Sequence, residues 1–134
     1  MSDNRFDTHG DFSWCELLTR DVEGSKKFYK ELIGWTMEDM PMDEGGSYTI
    51  LKAGDRAVGG LMKMPSQVPP QAPTHWSSYV TVDDVDAIAK KVENLGGKIL
   101  VPPTDLPDMR FCVFEDPQGA KLSAITYTKK PETT

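Results

Sequence analysis

The chain has 134 residues, 21 acidic against 15 basic, and a net charge of -6. That is enough sequence for one domain with a real core, and its acidity argues against nucleic acid or an anionic membrane surface as partner. No apolar run reaches membrane-spanning length, and the polar start MSDNRFDTHGD lacks the apolar stretch of a signal peptide, which points to a cytoplasmic protein.

In chain order, residues 1–10 read as a loose tail, with His9 in solvent. FSWCELLT (12–19) is a β-rich run. Asp21 is a good helix N-cap, and Val22, Phe28, Tyr29 and Leu32 place apolar groups on one helical face. Gly34 stops that helix in a left-handed C-cap. Trp35 to Met40, Ser47 to Ala53 and Ala57 to Met64 read as strands separated by the turns DEGG and AGDR, with Phe28 and Trp35 packing helix against sheet. PSQVPPQAPT (65–74), with four prolines, is an extended linker.

The pattern then restarts. His75 to Val82 is a strand, with Trp76 facing the second helix. Asp84 caps that helix, whose apolar face is Val85, Ile88, Val92 and Leu95, and Gly96-Gly97 ends it. The cluster Asp83, Asp84 and Asp86 reads as a helix start that sets carboxylates against the macrodipole. Lys98 to Val101, Arg110 to Glu115 and Ala120 to Tyr127 complete the strands, with DPQG as the last turn and 129–134 as a second tail. Cys15 and Cys112 lie in apolar strands and read as buried reduced thiols.

One offset of 63 positions relates the halves: Asp21-Val22 recurs as Asp84-Val85, Leu32 as Leu95, Gly34 as Gly97 and Ala57 as Ala120. The expectation is an α+β fold of two βαβββ modules, 11–66 and 67–128, making one domain in total.

The stretches RDVEGSKKFYKELIGW, VDDVDAIAKKVENLGGKIL and FEDPQGAKL resemble the paired modules of the vicinal oxygen chelate superfamily, the glyoxalase/bleomycin resistance/dioxygenase group. The resemblance covers about residues 11–128. It implies a duplicated glyoxalase-like fold, with sheets curling around a shared cavity and helices outside, and a homodimer. It leaves activity open, because the group includes lyases, epimerases, dioxygenases, thiol transferases and proteins that only bind drugs.

Metal-dependent members place ligands on the first and last strand of each module. Transferred to this chain, those positions hold Trp14, Gly60, Ser77 and Ser123. None is a competent ligand for a transition metal, so neither metal nor cofactor is expected.

Glu16 and His75 stand two residues from Trp14 and Ser77 and share their strand face. They could form a carboxylate–histidine pair, or His75 could begin its strand partly solvated with a backbone hydrogen bond. Glu16, inside an apolar strand, is the catalytic candidate. It reads either as a ligand-contacting or general-base carboxylate, or as a structural one paired with Arg110 or a backbone N–H. Trp14, Glu16, His75, Ser77, Tyr79 and Ser123 make the candidate ligand site, with Trp14 and Tyr79 able to stack on a flat organic molecule. The leading expectation is a metal-independent small-molecule-binding protein. The alternative is a glyoxalase-like lyase or isomerase, or a dioxygenase-type enzyme, using Glu16, with or without His75, in an off-register site.

Overall fold

The computed structural model describes residues 4–42, 46–66 and 68–128. Most of the DEGG turn and the tail from 129 onward lie outside these residues. The elements run β1 (Phe12–Thr19), α1 (Val22–Leu32), β2 (Thr36–Pro41), β3 (Ser47–Ala53), β4 (Arg56–Lys63), β5 (His75–Thr81), α2 (Val85–Asn94), β6 (Lys98–Leu106), β7 (Met109–Glu115) and β8 (Lys121–Tyr127). The fold is α+β, as the hydrophobic periods predict. Among the described residues no helix is long and apolar enough to cross a membrane.

The chain divides into two compact units, one of residues 14–76 and one that joins 4–13 to 77–128. In the first, strand order is β2-β3-β4-β1, with β1 parallel to β4 and the other pairs antiparallel. Asp21 caps α1 by accepting from the Gly24 N–H, and Gly34, at φ +87°, closes it with its N–H on the Tyr29 carbonyl. The core is Leu17, Leu51 and Leu61, with Val22, Tyr29, Trp35, Met37 and Val58 packed around it.

Two predicted packing residues of α1 do not pack. Phe28 and Leu32 are 56% and 64% exposed, because only the Val22–Tyr29 side of the helix lies on the sheet. Polar contacts supplement that thin apolar seam. Lys26 of α1 contacts both carboxylate oxygens of Asp39 on β2 at 3.1 Å, and the buried Thr49 hydroxyl donates to Asp39 at 2.6 Å.

The linker belongs to this unit for a physical reason. The Arg20 guanidinium donates to the carbonyls of Pro69 and Ala72, and Trp76 stacks edge-on against Tyr29 and Trp35. Trp76 is therefore a partner of the first helix, contrary to the expectation from its parity, and it stays 41% exposed. Cys15 is exposed as well, where a buried thiol was expected.

In the second unit strand order is β5-β8-β7-β6, with β5 parallel to β8. Asp84 caps α2 through the Ala87 N–H, and Gly96, at φ +91°, ends it. Val82, Val85, Cys112 and Ala124 form the core, with Ile88 and Phe114 beside them, while Leu95 is exposed past the helix end. Strand β6 runs five residues beyond its predicted end, through Pro102-Pro103, with two register shifts against β7. An edge strand tolerates prolines in this way.

Residues 4–13 are part of this unit and not a loose tail. Phe6 is 4% exposed, its ring edge-on to Tyr127 at 5.0 Å, and the Thr81 hydroxyl donates to the Arg5 carbonyl. His9 is exposed, as expected, and its Nδ1 accepts from the Asp83 N–H at 2.9 Å.

The registers within the two units share one rule. Glu16 pairs with Gly60, Leu17 with Leu61 and Leu18 with Met62; Tyr79 pairs with Ser123, Val80 with Ala124 and Thr81 with Ile125. Each second set is the first moved by 63. The β3–β4 pairs Thr49–Leu61 and Ile50–Gly60 relate in the same way to Cys112–Ala124 and Val113–Ser123.

Candidate functional site

Strand alternation fixes which face each candidate occupies. In the first unit Leu17, Leu51 and Leu61 point to the helix, so Trp14, Glu16, Tyr48, Ile50 and Gly60 share the opposite, helix-free face. Three of these form a connected network. The Trp14 indole N–H donates to the Tyr48 oxygen at 2.7 Å, and the Tyr48 hydroxyl donates to Glu16 Oε2 at 2.6 Å. The second is in the range of a short, charge-assisted O–H···O bond. Glu16 is 8% exposed, which is tolerable for a carboxylate only with such a partner.

Gly60 explains how the network fits. A methyl group at Gly60 would lie 1.8 Å from the Tyr48 oxygen and 2.2 Å from the carbon that carries it. Glycine is required there because the tyrosine lies across it, as an interior strand glycine often marks a close approach. The expected structural partner of Glu16, Arg110, is committed elsewhere. It holds Asp86 through two bonds (3.0 and 2.9 Å) and Asp105 through a third (2.9 Å). The Arg110 bonds, chiefly, hold the Asp86 carboxyl below the usual range, and both carboxylates push the guanidinium further up. Asp86 is thus a helix-to-sheet anchor in addition to a first-turn carboxylate.

His75 sits in the first unit with Nδ1 2.8 Å from the Pro73 carbonyl oxygen, as its strand-start reading expects. In the second unit Ser77, Tyr79 and Ser123 occupy the helix-free face, with Tyr79 and Ser123 directly paired and Ser123 buried. The structure therefore joins Trp14 to Glu16 and Tyr79 to Ser123 within their own units, and sets His75 on a backbone carbonyl.

The family-type metal positions do not suit an ion. In the first unit one is a tryptophan whose N–H is spent on Tyr48, and the other is a glycine overlaid by that tyrosine's hydroxyl. In the second unit both are neutral serines, weak donors for a divalent cation. Among the described residues no three His, Cys, Asp or Glu side chains converge.

Tyr48 is the site residue that sequence reasoning missed. Its signal was available: a tyrosine of the right parity in β3, the strand that the AGDR turn pairs with β4 and its unexplained glycine.

A family model for the Glyoxalase/Bleomycin resistance protein/Dioxygenase superfamily matches residues 11–123. A protein of Mycobacterium tuberculosis (strain CDC 1551 / Oshkosh) named "Putative glyoxylase CFP32" is 42% identical over 117 residues, 87% of this chain and 44% of its own length. The "Anthracycline biosynthesis protein DnrV" of Streptomyces peucetius is 32% identical over 123 residues, 83% of this chain and 45% of its own length. The chain spans about half the length of these curated relatives. Among solved structures, methylmalonyl-CoA epimerase from Mycobacterium tuberculosis superposes with a TM-score of 0.65 at 14% identity, covering 96% of this chain and 94% of that one. Hypothetical protein BH1468 from Bacillus halodurans C-125 gives 0.67 at 11%, covering 93% and 99%. At such identities the likeness is one of fold.

Proposed function

The chain belongs to the glyoxalase/bleomycin resistance/dioxygenase superfamily, and from that membership we propose that it is a small-molecule-binding protein that works without a resident divalent metal. The two βαβββ sets are copies of one module, a reading supported by the 63-residue rule in their registers. In the first unit the ligand lies against the helix-free face at Trp14 and Glu16, with His75 at the margin, and in the second unit the corresponding face offers Ser77, Tyr79 and Ser123. The observation that carries the metal-free reading is Tyr48 lying across Gly60. A flat aromatic ligand suits Trp14 in the first unit or Tyr79 in the second, and the anthracycline named for the Streptomyces relative is of that kind. The protein works in the cytoplasm as a homodimer, which covers strand edges, and engages neither nucleic acid nor membrane.

A second reading, in which Glu16 is a general base, is favoured by its burial beside a hydroxyl donor and by the glyoxylase-named relative. Metal analysis and sedimentation of one untreated sample test the proposal. Well under one equivalent of transition metal per chain, in a dimer at micromolar concentration, is expected. Stoichiometric metal removes the metal-free reading, and a monomer removes the dimer.

A further inference from the structure

One flank of α1 carries three lysines within five residues. Lys26, Lys27 and Lys30 line a groove of about 690 Å³, whose other wall is Trp35 and Met37 where the chain enters β2. That is room for a ligand of ordinary small-molecule size. Trp35 and Met37 pack around the Leu17, Leu51 and Leu61 core, so the groove lies on the helix side of the sheet. It is a different surface from the helix-free face of Trp14 and Glu16.

The three ammonium groups are not equally engaged. Lys26 holds both carboxylate oxygens of Asp39 and meets Glu23 at 3.7 Å. Lys27 and Lys30 are exposed and form no ion pair among the described residues. Like charges three and four residues apart on a helix oppose one another, so the trio costs helix stability that a bound anion would offset. The second unit does not repeat the set. At the positions 63 further on it has Ala89, Lys90 and Glu93 along α2, and Lys98 in place of Trp35.

We propose that this groove is a second binding site, for an amphipathic anion whose carboxylate head is held by Lys27 and Lys30 and whose apolar body lies along Trp35 and Met37. Each lysine brings three donors and no acceptor, and its bonds to a carboxylate are charge-assisted. The Trp35 ring is half-buried and backed by Tyr29 and Trp76, at centroid distances of 5.8 and 6.0 Å, which fixes it as a wall for an apolar group. Head and body are both needed, because an exposed ion pair alone is weak. The site is independent of the ligand reading of the helix-free face.

The test is titration of the full chain with naphthalene-2-carboxylate, followed by nuclear magnetic resonance at the three tryptophan indole N–H groups. The carboxylate should move the Trp35 resonance. Lys27→Gln combined with Lys30→Gln should weaken that binding roughly tenfold, and both side chains are exposed, so the fold is not at risk. Lys27→Arg with Lys30→Arg keeps both charges and should stay within about threefold of the wild type. Naphthalene-2-methanol has the same rings without the charge, and its binding should not respond to the glutamine pair. A Trp35 resonance that stays still, or an affinity that the glutamine pair leaves unchanged, overturns the inference. So does a shift confined to Trp14, which would put the carboxylate on the helix-free face.

Discussion

The two units carry the same register with different side chains, and the difference is sharpest at one set of equivalent positions. Where the first unit has Trp14, Glu16, Tyr48 and Gly60, the second has Ser77, Tyr79, Phe111 and Ser123. The first has built a hydrogen-bonded network around a glycine. The second keeps a side chain at the glycine's counterpart and carries a phenylalanine, without a hydroxyl, at the tyrosine's. A shared register thus supports a face with a buried carboxylate in one unit and a neutral face in the other.

The largest effect expected from breaking this comparison is at Gly60. Gly60→Ala forces a methyl group into the Tyr48 ring and should cost about 3 kcal/mol by urea denaturation, through overpacking and loss of the network. Ser123→Ala, at the equivalent position, should cost about 1 kcal/mol or less. In a Tyr48→Ala background the Gly60→Ala penalty should fall below about 1 kcal/mol, because the clash has been removed. A Gly60→Ala cost that persists without the tyrosine would mean the glycine serves backbone needs alone.

The helices differ too, and equivalent valines measure by how much. Val85 at the start of α2 is fully buried against Val82, Cys112 and Ala124, whereas α1 has no buried residue and its Val22 is only half-buried. Val85→Ala should therefore cost about 2 kcal/mol and Val22→Ala about 1 kcal/mol. Equal losses would show that α1 seals its core as completely as α2.

Local signals placed the elements well. Asp caps, glycine stops and apolar periods each act over one turn or one strand, so Asp21, Gly34, Asp84 and Gly96 mark helix ends that the structure reproduces. Signals that depend on distant partners did not carry. Phe6 is a lone aromatic in a polar stretch, and its ring packs on Tyr127, more than a hundred residues away. Trp76 faces away from Ser77 in either register, but parity alone does not say which helix its ring meets. At Glu16 the apolar strand implies the need for a partner, and strand alternation implies the face. Its identity required knowing that β3 and β4 pair so as to bring Tyr48 over Gly60, a fact about register that no single strand contains.

The smallest effect concerns how each helix is tied to its sheet by a carboxylate. In the first unit Asp39 is held below the usual range first by the Thr49 hydroxyl, then by Lys26. In the second Asp86 is held down chiefly by Arg110. A carboxyl whose folded value lies below its ordinary 3.8 contributes stability that is fully present above that value. The contribution is lost as pH falls through the folded value, so both ties act on the acid limb below about pH 4. Asp39→Asn and Asp86→Asn should each flatten that limb slightly in thermal melts taken across acid pH. Salt should separate them. The Asp86 tie is ionic and exposed, so 0.5 M sodium chloride should remove most of its share, at a screening length of roughly 4 Å. The Asp39 tie rests first on a bond from a buried neutral hydroxyl, so its share should survive. Acid limbs that coincide for wild type and both variants would show that neither carboxylate contributes to stability.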